Sequence, residues 1–383
     1  MRITGAWLTQ GPTQAVLGML GAAGHQAYCV GGCVRDALIG RPVSDVDIAT
    51  DAPAAQVAAL AKAAGLKPVP TGIDHGTVTV VADGQGFEVT TFRRDVETFG
   101  RHAVIAYSDR LEDDAARRDF TINALYVGAD GRLTDPLGGL PDLMARRIRF
   151  VGAPADRIRE DYLRILRYFR FQAHFGDPVR PMEPEALAAC AAHAAGVATL
   201  SAERIGTETR KLLAAPDPSR ALGAMADTGV LARVLPGADP APLALMVHLE
   251  GGVLPPRWLR RLAALAPRDD TARDALRLSR AEARDLSHLR QHAATDAAPA
   301  ALGYWLGTDL GCDAVLAQAA RRCELLPPGW QAEVARGAAQ RFPVAARDLM
   351  PDYTGPALGA RLRELEWRWV ASDFALDRAA LLA

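Results

Sequence analysis

Residues 30–50 read Val-Gly-Gly-Cys-Val-Arg-Asp-Ala-Leu-Ile-Gly-Arg-Pro-Val-Ser-Asp-Val-Asp-Ile-Ala-Thr. The apolar run Tyr28–Val30 predicts the end of a buried strand. Gly31 and Gly32 then allow a tight turn whose N–H groups can approach an anion, because no Cβ intervenes. Helical residues follow from Val34, which would add a helix N-terminus to that cradle. Asp45 and Asp47 come next, two apart and interleaved with Val46 and Ile48. On a strand such residues share a face, so the two carboxylates would converge while Val46 and Ile48 enter the core. Paired carboxylates beside a phosphate-sized cradle are what Mg²⁺-assisted phosphoryl or nucleotidyl transfer requires.

Taken singly, Asp-x-Asp and Gly-Gly are ordinary turn sequences. In the order strand, Gly-Gly, helix, Asp-x-Asp they resemble the signature of the DNA polymerase β-like nucleotidyltransferases. The form found here resembles the first motif of the class II tRNA nucleotidyltransferases and bacterial poly(A) polymerases.

Two further strings match that family in order. Arg117-Arg118-Asp119-Phe120-Thr121-Ile122-Asn123 would pass alone for a surface ion pair. The resemblance implies instead that Arg118 and Asp119, with Arg117 and Asn123, bind the nucleotide and select its ribose. Glu160-Asp161-Tyr162-Leu163-Arg164 predicts helical neighbours at i, i+3 and i, i+4, which alone would be salt bridges. The resemblance implies that Asp161 and Arg164 read the Watson–Crick edge of the incoming base. Asp161 would accept from the exocyclic amine shared by cytosine and adenine, and Arg164 would donate to ring acceptors. Glu160 would fix the arginine, and Arg167, one turn on, would face phosphate or RNA.

The implied reaction is attack of a tRNA 3′-OH on the α-phosphate of CTP or ATP. Asp45 and Asp47 would be the catalytic pair and hold two Mg²⁺, while Gly31, Gly32 and Arg35 cradle the triphosphate and Asp36 braces the turn. Glu88 is a candidate third carboxylate. Residues 93–116 predict a polar, mobile loop; within it Arg93–Tyr107 occupies the place of the family's flexible loop, with Asp95 and Arg101 its candidate functional residues. The loop is of full length, and Thr71–Thr77 resembles the CCA-adding pattern rather than the basic run of bacterial poly(A) polymerases. CCA addition is therefore expected, with CC-adding, A-adding and poly(A)-adding enzymes as alternatives, and a non-catalytic RNA-binding protein a remote one.

The remaining composition sets bounds. With 383 residues, 49% hydrophobic and 23% charged, the chain suits several compact units. A net charge of −1 means that RNA binding must come from a local patch. Arg146, Arg147, Arg149, Arg157 and Arg159 form one candidate. Five cysteines without metal-like spacing, no signal-type N-terminus and no run of about 18 apolar residues predict a cytoplasmic protein without a membrane span. Strand signals stop near residue 140. The expected fold class is α+β: a nucleotidyltransferase head with a mixed sheet (1–140), then an all-helical neck (141–218) and an all-helical body and tail (219–383) that bind tRNA. None of the eight histidines precedes an Asp, so a His-Asp phosphohydrolase site has no support.

Overall fold

The computed structural model describes residues 1–99, 102–265 and 271–383, and within them every side chain except those of 74, 95–99 and 102–105. Arg101, and the side chain of Asp95, lie outside that description. The chain divides into two compact units, Met1–Arg204 with Ala224–Arg233, and Ile205–Gly223 with Val234–Ala383.

The first unit is built on a mixed sheet. Its strands are β1 (Ala27–Val30), β2 (Asp47–Thr50), β3 (Lys67–Gly72), β4 (Thr77–Ala82), β5 (Gln85–Thr91), β8 (Tyr126–Gly128) and β9 (Leu133–Thr134), in the order β3-β4-β5-β2-β1-β8-β9. β2 and β5 run parallel, and every other neighbouring pair is antiparallel. Alternation builds the core from Ile48, Val78, Val80, Phe87 and Val89, each at most 1% exposed. Asp83-Gly84 closes the β4–β5 hairpin with both residues at positive φ, as a two-residue primed turn demands. Helices α1 (Gly11–Ala22), α2 (Gly32–Leu38) and α3 (Ala54–Ala63) accompany the sheet, Val16, Leu17, Leu20 and Val57 being buried. Pro53 holds the N-cap position of α3, and the Asp51 carboxylate bonds the His25 ring and accepts the Gln26 N–H.

Residues 93–116 differ from the expected loop. They form strands β6 (Arg93–Phe99) and β7 (His102–Tyr107), paired antiparallel, and then helix α4 (Leu111–Ala116). Beta-branched and aromatic residues at Val96, Thr98, Phe99, Val104, Ile105 and Tyr107 favour pairing despite the polar interruptions.

Helices follow: α5 (Gly139–Met144), α6 (Pro154–Glu160), α7 (Leu163–Phe175) and α8 (Ala202–Leu213). The Asp135 carboxylate accepts the Gly139 and Leu140 N–H groups and starts α5. The regular elements of the second unit's described residues are all helices, and no described helix is long and apolar enough to cross a membrane. The expected fold class is thus observed.

Candidate active site

The glycine turn between β1 and α2 is strained for any other residue. Gly31 has φ 76° and ψ −119°, a conformation that L side chains rarely adopt. It also faces a guanidinium: a Cβ on Gly31 would stand 3.3 Å from Arg118 Nη1. At Gly32 the nearest such atom is Arg35 Nη2, at 3.9 Å. Arg35 is 8% exposed, donates to Asp36 (2.9 Å) and Asn123 Oδ1 (2.7 Å), and stacks on Phe175 with 4.0 Å from Cζ to the ring centroid. Asp36 therefore braces Arg35, as its position suggested. Cys29 and Cys33, on either side of the glycines, are buried free thiols. Burial and the Asp47 charge push Cys33 up to about 12, so both act as packing groups.

Asp45 precedes the sheet, because β2 begins at Asp47 and not at Asp45. The alternation nonetheless holds: Asp45 and Asp47 are exposed while Val46 and Ile48 are 3% and 1% exposed. Ser44 Oγ donates to Asp45 Oδ2 at 3.1 Å. Across the parallel pair Asp47 stands in register with Glu88, which is also exposed. Partial burial, and then the neighbouring Glu88 charge, raise the Asp47 carboxyl above its ordinary value; Arg118 opposes them and Asp45 adds to them. Carboxylates that repel one another across a sheet edge gain when a hard cation lies between them, and oxygen donors suit Mg²⁺. Among the described residues no group of three or more His, Cys, Asp or Glu side chains is placed to hold a metal ion. The chemistry of an Asp45–Asp47 oxygen pair fits an ion that takes its other ligands from water and phosphate.

Arg117 and Arg118 converge on Asp114, a residue that the sequence reading passed over. Its Oδ1 accepts Arg117 Nε (2.8 Å) and Nη2 (2.5 Å). Its Oδ2 accepts Arg118 Nε (3.1 Å), Arg118 Nη2 (2.9 Å) and the Tyr126 hydroxyl (2.8 Å). Burial alone would raise this carboxyl, but Arg118 and Arg117 outweigh it and hold it below the usual range. Asp119 is likewise held low against its burial, by Arg167, Asn123 and the Phe120 N–H. Arg167 pairs with Asp119, with Nε at 2.7 Å, a partner that the sequence reading does not give it. Asn123 links the motifs, donating to Asp119 Oδ1 at 2.9 Å and accepting from Arg35.

The expected continuous helix through residues 160–164 is broken. Asp161 is extended (φ −153°, ψ 108°) between α6 and α7, and its Oδ1 accepts the Leu163 N–H at 3.0 Å. An aspartate that bonds its own downstream backbone competes with the helix in this way. Its other oxygen pairs with Arg204 of α8 at 2.6 Å, a partner invisible to local pattern. Arg164 keeps the expected i, i+4 pair with Glu160 and also donates to the carbonyls of Arg157 (2.9 Å) and Arg117 (3.3 Å). Arg157 bonds Glu160 (2.7 Å) and the Arg117 carbonyl.

The arginine cluster at 146–159 is largely neutralised. Arg147 pairs with Glu183, Arg149 with Asp142, Arg157 with Glu160 and Arg159 with Asp156.

The chain matches the Poly A polymerase head domain over residues 27–149, and the probable RNA and SrmB-binding site of polymerase A over 181–241. It is 34% identical over 376 residues to a mitochondrial CCA tRNA nucleotidyltransferase 1 of Mus musculus, covering 94% of this chain and 86% of that protein. It is 41% identical over 258 residues to a CCA-adding enzyme of Geobacillus thermodenitrificans, covering 66% and 58%. Among solved structures it resembles the Bacillus stearothermophilus CCA-adding enzyme in complex with CTP. That likeness has a TM-score of 0.74 at 31% identity and covers 95% of this chain and 94% of that one.

Proposed function

The chain belongs to the class II CCA-adding enzyme family, and from that premise we propose that it adds CCA, without a template, to the 3′ end of tRNA from CTP and ATP. One observation of geometry supports the site assignment most directly. Arg118 Nη1 lies so close over the Gly31 turn that a Cβ on Gly31 would stand 3.3 Å from it, which supports reading the first and second motifs as one wall.

In this reading the tRNA 3′-OH attacks the α-phosphate and pyrophosphate leaves. Asp45 and Asp47 are the catalytic pair and would hold Mg²⁺, with Glu88 beside them. When bound, Mg²⁺ lowers the pKa of the attacking hydroxyl and offsets charge on the leaving pyrophosphate. The main chain of Gly31 and Gly32, with Arg35, receives the triphosphate. Arg118, Asp119 and Asn123 bind the ribose side, with Arg167 holding Asp119. A carboxylate carries about four acceptor sites, so Asp161 can accept a base amine while bound to Arg204 and Leu163. Arg164 supplies donors to the same edge. Residues 1–140 form the head, 141–218 the neck and 219–383 the tRNA-binding body and tail. The five free cysteines suit the reducing cytoplasm.

The test is incorporation at single-nucleotide resolution on a tRNA transcript lacking its 3′ trinucleotide, with Mg²⁺ and CTP, ATP or both. Two C residues followed by one A, and then arrest, is the expected product. Two Cs alone would reassign the chain as CC-adding, an A ladder as a poly(A) polymerase, and no addition would overturn the reading.

A further inference from the structure

Asp114 is 0% exposed, within the six-residue helix α4 and bonded to three polar side chains. Its two oxygens divide the work: one accepts Arg117 and the other accepts Arg118 together with Tyr126. A guanidinium engaged through Nε and Nη2 has one nitrogen left to present, here Arg118 Nη1. That nitrogen is the atom that lies against Gly31, and it reaches the Asn123 carbonyl at 3.4 Å. Tyr126 in turn is fixed by the sheet, its residue pairing with Val30 immediately before the glycine turn. The carboxylate, the tyrosine and the turn therefore form a closed circuit that leaves Arg118 one orientation.

We infer that Asp114 is a positioning residue that sets sugar selectivity by aiming Arg118 at the nucleotide. The inference rests on the reading of Arg118 as a ribose-side contact. Two adjacent guanidiniums repel each other, and without a shared carboxylate both are free to swing into solvent. A fixed donor penalises a sugar that lacks its hydroxyl, because a polar group is then left unpaired; a swinging donor does not. Loss of Asp114 should thus cost the ribonucleotide more than its deoxy analogue. A merely structural carboxylate would cost both equally.

The experiment measures kcat/KM for CTP and dCTP on tRNA lacking CCA, with the full chain, its Asp114→Asn and Tyr126→Phe variants, Arg118→Ala, and the Asp114→Asn/Arg118→Ala double variant. Asp114→Asn should lower kcat/KM for CTP by about 100-fold and compress the CTP-to-dCTP ratio by about tenfold, the scale of other supporting-residue losses. Tyr126→Phe, which keeps the carboxylate and the fold, should compress that ratio severalfold with an unchanged melting temperature. In the Arg118→Ala background, Asp114→Asn should change the ratio no further, since residues acting through one contact are not additive. An unchanged ratio in Tyr126→Phe together with a ratio that falls additively in the double variant would overturn the inference. If Asp114→Asn does not fold, an unchanged ratio in Tyr126→Phe alone overturns it. Wild-type protein that adds no nucleotide at all would overturn the functional reading first, and this inference with it.

Discussion

Asp47 of β2 and Glu88 of β5 stand directly opposite each other across the one parallel step in the seven-stranded sheet. Parallel registry puts both side chains on one face, so β5 places the Glu88 carboxylate beside Asp47. Asp45→Ala or Asp47→Ala should abolish incorporation of both CTP and ATP. Glu88→Gln should leave activity reduced by about 10- to 100-fold, the range for a group supporting a metal site. Single-turnover extension at saturating Mg²⁺ separates the three. Appreciable activity in Asp47→Ala would refute the catalytic assignment.

The glycines of the turn should fail differently. Gly31→Ala forces a Cβ into a φ of 76° and within 3.3 Å of Arg118 Nη1. It should cost about 1–3 kcal/mol of stability as well as activity. Gly32→Ala meets nothing closer than 3.9 Å in the protein, so thermal melting should barely move while nucleotide KM rises. Equal melting temperatures for the two variants would refute the strain argument.

Base choice should depend on Arg164 more than turnover does. Arg164→Ala removes donors from the base edge while leaving the carboxylates intact, and should incorporate UTP and GTP alongside CTP with part of the transfer retained. Competition assays with all four nucleotides read this directly. Strict CTP and ATP selection in the variant would place the reader elsewhere.

What the sequence disclosed, and what it hid, follows the range of the interactions. Gly31, Asp47 and the Asp83-Gly84 hairpin are local: backbone φ and two-residue alternation decide them, and those are written in consecutive residues. Asp161 sits outside the expected helix because its side chain takes the Leu163 N–H, and its second partner, Arg204, lies 43 residues away. Asp114 was passed over although it precedes Arg117 and Arg118 by three and four residues, a spacing that could have exposed it. Arg167, one turn beyond the Glu160–Arg164 motif, bonds Asp119, 48 residues earlier, which no local spacing discloses. Residues 93–107 read as loop because alternation there is interrupted at Asp95–Glu97, where the strand register shifts.

Acid should weaken the first unit through two of these carboxylates. Asp114 and Asp119 are held below the ordinary 3.8 in the folded protein, whereas the unfolded chain restores that value. As pH falls below about 4 the unfolded state therefore binds protons that the folded state refuses, and stability falls; above that window the contribution is complete. Urea midpoints between pH 6 and pH 3 should drop for the wild type and drop less for Asp114→Asn. Parallel curves for the two proteins would show that Asp114 does not carry the linkage.

The second unit carries its own polar core. Arg260 and Arg261, 2% and 1% exposed, are adjacent in the helix Trp258–Leu265. Glu250 bridges them, accepting Arg260 Nε at 2.7 Å and Arg261 Nε at 2.8 Å. Asp313 takes a second arm of Arg260 at 2.8 Å, and the Leu213 carbonyl takes Arg261 Nη1 at 2.7 Å. A buried pair built this way adds little over an apolar core, but removing one partner strands a charge. Glu250→Gln leaves Arg261 buried without a carboxylate and Arg260 with Asp313 alone, and should cost about 3–5 kcal/mol. For a unit of this size that lowers the melting temperature on the order of 10 °C. Differential scanning calorimetry on the full chain measures it. A shift under about 2 °C would mean that water or the carbonyls already satisfy both arginines, and that Glu250 is dispensable to the helical core.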